Sequence, residues 1–112
     1  MSPPTPLTYE ILLALSDGAR HGYGIIKEIE TRGGAAPSTG AMYLALRRMQ
    51  SEGLIDDTPE SRPGGADARR RYYTITERGR EIAEMESVRL AQLVATARAK
   101  KLLGGPVEGV EG

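Results

Sequence analysis

The sequence contains no cysteine, tryptophan or phenylalanine, and it has one histidine in 112 residues. Without cysteine, disulfide bonds, thiolate catalysis, thiol redox sensing and cysteine-ligated zinc sites are excluded. No apolar run approaches the ~18 residues that a membrane helix requires, and the proline-rich N-terminal residues lack the basic segment of a secretion signal. We therefore expect a cytoplasmic protein with no membrane partner.

Residues suited to catalysis or metal binding are equally scarce. The single histidine, His21, precedes Gly22 at the start of a predicted helix, where a cap or a packing role is far more common than metal ligation. There is no glycine-rich phosphate loop after a strand and no cluster of histidine with carboxylates. The sequence predicts a protein that is not an enzyme, with no catalytic residues, no metal and no cofactor.

Charge is balanced overall but not along the chain. Fifteen lysines and arginines face fifteen aspartates and glutamates, yet residues 62–80 contain six arginines and only two acidic residues. A basic patch on a neutral protein indicates a single polyanionic partner.

Three amphipathic helices are predicted in the first half of the chain. Thr5 caps the first helix, which ends near Ser16, and a second helix covers residues 21–32. Ser38 caps the third, which ends at Gly53. The core-facing residues of the third helix repeat every three or four positions: Met42, Ala45, Leu46 and Met49.

Two short strands and a long helix make up the second half. The strands, beginning at residue 54 and at residue 71, are joined by a Pro- and Gly-rich hairpin over residues 59–68. From residue 76 a helix of roughly 25 residues follows. The order of elements predicts a mainly α fold with a small β-hairpin (α+β), a winged helix-turn-helix with a long C-terminal dimerisation helix. The predicted organisation is a winged-helix domain at 5–76, a dimerisation helix at 77–103 and a disordered tail at 104–112.

The third helix is the candidate reader of DNA, because its polar stripe lies opposite its core residues. Arg47 is suited to a guanine edge, Gln50 to adenine, and Tyr43 to a phosphate or sugar. The helix start also favours a phosphate. The alternative is a solvated helix face without a ligand. The predicted contacts in this helix are Ser38, Thr39, Gly40, Tyr43, Arg47 and Gln50.

Three consecutive arginines at the second strand, Arg69, Arg70 and Arg71, are predicted to follow a phosphate backbone or to enter a narrow minor groove. Because side chains alternate along a strand, the three cannot contact DNA equally. The alternative is an edge strand that its charges protect from aggregation.

The last helix has more apolar surface than one small domain covers, which predicts a homodimer with two recognition helices on one side. The alternative is a helix folded back entirely onto its own core. The predicted interface residues are Ile82, Met85, Val88, Leu93, Val94 and Ala97.

Three segments together resemble the PadR family: residues 21–26, residues 38–55, and residues 69–76 followed by Gly79. The resemblance implies a repressor that binds an inverted-repeat operator in double-stranded DNA as a homodimer, with DNA contacts from Tyr43 and the wing arginines. It also implies, for some members, release from DNA by a small aromatic effector at the dimer interface.

The sequence has no tryptophan or phenylalanine, and in this it differs from family members that bind a flat aromatic effector. An aromatic slot that holds a flat ligand between rings would have to be built from tyrosines. The single helix predicted after the wing leaves no room for a separate effector domain. Because a fold does not fix a function, a second hypothesis stays open. It is a winged-helix protein-interaction module whose basic wing binds an acidic protein.

Overall fold

Four helices and a three-stranded antiparallel sheet form the computed structural model, which describes residues 2–59 and 71–104. This is the predicted α+β winged-helix architecture. The predicted wing tip lies outside the described residues from residue 60 onward, as does the predicted tail from residue 105. In chain order the elements are α1 (Pro6–Leu15), β1 (Arg20–His21), α2 (Gly22–Thr31), α3 (Thr39–Ser51), β2 (Ile55–Pro59), β3 (Arg71–Ile75) and α4 (Glu77–Ala99).

Each of the four helices begins at a side chain that accepts a hydrogen bond from a backbone amide of the first turn. The predicted caps Thr5 and Ser38 accept through their hydroxyl oxygens, at 3.1 Å from the amide nitrogen in both cases. His21 accepts through Nδ1 at 3.2 Å, and Thr76 through its hydroxyl at 3.0 Å. These bonds satisfy amides that have no partner within the helix and so fix where each helix starts.

The sheet has the strand order β1-β3-β2, so β3 is central. In the β2–β3 hairpin Ile55 lies opposite Ile75, and Asp57 lies opposite Tyr73. The first strand was not predicted, because two residues are too few for an alternating pattern to be recognised. It ties the start of α2 to the hairpin through the pairing of His21 with Tyr72.

The core lies between α1, α2, α3 and the sheet. All four predicted core residues of α3 are buried, which confirms the orientation of that helix. None of the helices in the described residues is long and apolar enough to cross a membrane. The largest fully buried side chains are Ile11, Leu12, Leu15, Ile25, Ile29, Met42, Leu46, Met49 and Ile55.

The junction between β3 and α4 depends on a very close approach at Gly79. A Cβ atom at this position would overlap the backbone carbonyl oxygen of Leu54 and lie 3.0 Å from Cγ1 of Ile75. The same carbonyl accepts a hydrogen bond from the amide of Thr76 at 3.1 Å. The Thr76 hydroxyl donates to the carbonyl of Gly53 at 2.7 Å, so the chain entering α4 is fixed to the chain leaving α3.

Candidate nucleic-acid interface

Four residues on successive turns of α3 form an exposed surface, which we call the reading face: Gly40, Tyr43, Leu44 and Arg47. Tyr43 is 43% exposed and Leu44 is 70% exposed, while Gly40 and Arg47 are also exposed. The surface combines a guanidinium for guanine, a phenol for a phosphate or sugar, and an apolar side chain of the type that contacts a thymine methyl group. Leu44 was not predicted, because a leucine next to an apolar stripe is indistinguishable from a core residue in sequence.

The start of α3 adds backbone donors beside the reading face. Ser38 and Thr39 are exposed, and the first intrahelical hydrogen bond runs from the amide of Met42 to the carbonyl of Ser38 at 2.9 Å. The Ser38 hydroxyl accepts from the amide of Ala41, and the amides of Thr39 and Gly40 precede the helical ladder and point out of the helix end. This end is the positive pole of the helix dipole, which attracts phosphate.

Tyr43 is positioned by the start of α2. Its ring and hydroxyl pack against the Cα of Gly22, where a Cβ would overlap the phenolic oxygen and lie 3.0 Å from Cε1. The absence of a side chain at Gly22 thus leaves the space that the Tyr43 ring occupies. Gly22, in the segment 21–26 that resembles the PadR family, therefore supports the reading face from the neighbouring helix.

Replacing Gly22 by alanine is expected to displace the Tyr43 ring while changing the free energy of unfolding by less than about 1 kcal/mol, because the ring is half-exposed and can swing outward. The displacement is measured by the NMR shifts of the Tyr43 ring. Gly24→Ala is the matched control, since its Cβ would meet only ordinary contacts, the nearest at 3.7 Å. Unchanged Tyr43 shifts in Gly22→Ala would contradict this packing.

Gln50 departs from its predicted place on the exposed stripe. Its side chain is half-buried, and its Nε2 donates to Oδ1 of Asp57 at 2.8 Å. The other carboxylate oxygen of Asp57 accepts from Nη1 of Arg71 at 3.1 Å. The helix turns far enough over three residues to carry Gln50 from the exposed side toward β2. Its contact with adenine stays a prediction. Asp57 would compete with the base for the Gln50 side-chain amide.

Tyr73 lies opposite Asp57 on β3, the central strand of the sheet. Burial raises the pKa of Tyr73 above its usual value of 10.0, nearby Tyr43 and Asp57 raise it further, and Arg71 acts in the opposite direction. The phenol is therefore neutral at physiological pH and packs as a core residue.

The predicted wing arginines are only partly within the structure. Arg71 begins β3, with a side chain that is 56% exposed. Arg69 and Arg70 lie outside the described residues. Their predicted phosphate contacts stay predictions.

The core-facing stripe of α4 continues beyond the body of its own chain. In its first half the stripe contains the buried residues Ala83 and Glu86. It continues at the same spacing through Leu93, which is 53% exposed, Val94, which is 45% exposed, and Ala97, which is half-buried. The continuation is an apolar surface that nothing in the described chain covers.

The remaining predicted interface residues lie on other parts of α4. Ile82 is half-buried and packs against the core, so its own chain covers most of it. Met85 and Val88 are exposed. Glu86 is buried but satisfied, because Arg89 donates to both of its carboxylate oxygens, at 2.8 and 2.6 Å. These hydrogen bonds lower the pKa of Glu86 below its usual value of 4.5.

The sequence matches the model of a known protein family over much of its length. The model of the Transcriptional regulator PadR-like family matches residues 11–85, which include the capping histidine, the reading face and Gly79. The chain belongs to the PadR-like family. Its members are transcriptional regulators and not enzymes, as the sequence predicts for this chain.

Solved PadR structures share both the fold and much of the chain length. A PadR family transcription regulator from Clostridium difficile is 28% identical, with a TM-score of 0.74, and the match covers 83% of this chain and 95% of that one. A PadR-like transcriptional regulator from Bacillus cereus is 31% identical, also with a TM-score of 0.74, and the match covers 89% and 93%.

A curated relative is much longer. An uncharacterised 37.1 kDa protein in transposon TN4556 of Streptomyces fradiae is 36% identical over 83 residues, which are 74% of this chain. The match covers only 22% of that protein. The chain thus spans less than a quarter of the length of this relative.

Proposed function

We propose that this PadR-like protein is a sequence-specific DNA-binding repressor that occupies an inverted-repeat operator as a homodimer. The observation that carries the proposal is the reading face, where Tyr43, Leu44 and Arg47 are exposed together on a helix whose opposite side is fixed in the core. Such a helix has the dimensions and the side chains that a major groove accepts. Repression is the role that the family resemblance implies.

In this arrangement α3 supplies the base contacts and its first turn supplies a phosphate contact. Arg47 donates two hydrogen bonds to a guanine, while Tyr43 contacts the sugar-phosphate backbone. A Cβ added at Gly40 would have nothing within 4 Å, so this position leaves open space for the DNA. Ser38 and Thr39 place backbone amides next to a phosphate. Arg69 and Arg70 extend the backbone contacts from the wing.

The homodimer forms through the uncovered stripe of α4. Two copies that bury Leu93, Val94 and Ala97 against each other bring two recognition helices to one side of a twofold axis. Half-site centres one helical turn of DNA apart, about 34 Å, match that symmetry. Met85 and Val88 are exposed on other sides of α4, outside this stripe, and their interface contacts stay predictions.

Selection from a library of random duplexes tests this proposal and identifies the operator at the same time. We expect enrichment of an inverted repeat whose half-sites are separated by about 10 base pairs or a multiple of that spacing. Enrichment of a single unrepeated half-site would contradict the dimeric arrangement. A library that returns unenriched would contradict sequence-specific binding.

Arg47→Ala is expected to weaken binding to the selected duplex by about 1–3 kcal/mol and to relax the preference at one base position. Fluorescence anisotropy with single-base variants of that duplex measures both effects. Arg48→Ala removes the same charge from the adjacent position, which faces a cavity beside Glu52 and Arg78. It should lower the affinity for all duplexes slightly and equally. Equal losses of base preference in both variants would contradict the role of Arg47.

A small-molecule effector is the regulatory part of the proposal. A cavity of about 490 Å³ lies between α1, the end of α2 and α4. Among the described residues its lining has one aromatic side chain, Tyr9, and its rim carries the ion pair of Arg32 with Glu10, at 3.0 Å. We expect any ligand to be polar and to stack on one side only, against the Tyr9 ring. A thermal shift screen of aromatic acids, with loss of DNA binding as the second readout, tests this expectation.

A further inference from the structure

Asp57 holds two side chains of the predicted DNA surface at once. Its carboxylate lies 2.8 Å from the amide nitrogen of Gln50, at the end of α3, and 3.1 Å from Nη1 of Arg71, at the base of the wing. Only 24% of the Asp57 side chain is exposed, so the carboxylate is seated between the two elements. Asp57 thus connects the end of α3 to the base of the wing.

We infer that Asp57 is a positioning residue that keeps Arg71 and Gln50 on the protein and away from DNA. Its carboxylate accepts a hydrogen bond from Nη1 of Arg71 and balances the charge of the guanidinium, so the pair as a whole adds little to sequence-independent attraction. Base reading then falls to Arg47, while Tyr43 contacts the sugar-phosphate backbone. This inference rests on the proposed DNA-binding function and departs from two parts of the sequence-based prediction, in which Arg71 and Gln50 each contact DNA directly.

The geometry allows this role to be tested without unfolding the protein. An ion pair with an arginine that is 56% exposed contributes little to folding stability. In Asp57→Asn the amide oxygen still accepts the hydrogen bond from Gln50, but the negative charge that held Arg71 is gone. The guanidinium is then free to reach a phosphate.

The experiment compares the wild-type protein with Asp57→Asn, Arg71→Ala and the double variant. Fluorescence anisotropy against a selected duplex and a scrambled duplex is recorded between about 50 and 200 mM salt. Asp57→Asn should bind both duplexes more tightly, on the order of fivefold, with a salt slope steeper by about one for each Arg71 that reaches a phosphate. Arg71→Ala alone should leave the slope unchanged, and in the double variant the gain should disappear.

Asp56→Asn is the matched control. Asp56 is exposed on the opposite face of the same strand, so its replacement removes an equal charge without releasing Arg71. Any gain in this control should persist when Arg71 is also replaced by alanine. A gain in Asp57→Asn that likewise persists without Arg71, or a flatter slope in Arg71→Ala alone, would overturn the inference while leaving the proposed function intact. A wild-type protein that binds neither duplex would overturn the proposed function and this inference with it.

Discussion

Gly79→Ala is expected to destabilise the fold by about 2 kcal/mol or more, although alanine normally favours a helix over glycine by about 1 kcal/mol. The added methyl group would overlap the carbonyl oxygen of Leu54, which is backbone and cannot rotate away. Moving that carbonyl would also lengthen its hydrogen bond with the amide of Thr76, now 3.1 Å. Urea unfolding at a fixed protein concentration measures the effect.

Gly40→Ala is the matched control for this prediction. Gly40 also lies in the first turn of a helix, but nothing is within 4 Å of a Cβ at that position. Its replacement should leave stability unchanged or raise it by up to about 1 kcal/mol. If both variants shift the unfolding midpoint in the same direction by the same amount, the close approach of α4 to Leu54 does not govern stability.

Leu93→Asp is expected to raise the dissociation constant of the proposed homodimer by about 100-fold or more. A buried leucine contributes roughly 1.5–3 kcal/mol, and each twofold interface loses two of them while gaining two carboxylates in an apolar surface. The fold of each copy should be preserved, because Leu93 is 53% exposed in its own chain. Sedimentation over a concentration series measures the dissociation constant, and far-ultraviolet circular dichroism reports the fold.

Gln92→Asp introduces the same charge one residue earlier in α4, at an exposed position away from the uncovered stripe. We expect this variant to remain dimeric and to bind DNA as the wild type does. A wild-type protein that sediments as a monomer at every concentration would contradict the dimer outright. Dissociation in both variants would indicate that charge on α4, and not the stripe, controls assembly.

Much of the fold can be predicted from short-range sequence features, namely helix-capping residues and the spacing of apolar residues. The hydroxyl residues Thr5 and Ser38 start helices because they satisfy amides locally, so their roles are visible without tertiary information. The spacing of Met42 and Met49 likewise fixes which side of α3 is buried. Strand β1 escaped prediction because its two residues are held by pairing with β3 and not by any local preference.

The candidate site was predictable where it depended on helical periodicity, and not where it depended on contacts between elements. Periodicity placed Arg47 on the exposed side of α3. It could not show that Gln50 donates to Asp57, because that contact depends on the register of β2 against the end of α3. The role of Gly22 was hidden for the same reason, since only packing brings Tyr43 onto it.

Sequence-specific DNA binding is tested most directly by one affinity ratio. Purified protein is titrated by fluorescence anisotropy with a labelled duplex from the region upstream of its own gene, and with a scrambled duplex of equal composition, over a salt series. A preference for the upstream duplex of ~10³ or more is the predicted result. Equal and weak binding of both duplexes, with the same salt slope, would contradict the proposal that the protein is a sequence-specific repressor. It would favour the alternative in which the basic wing binds an acidic protein.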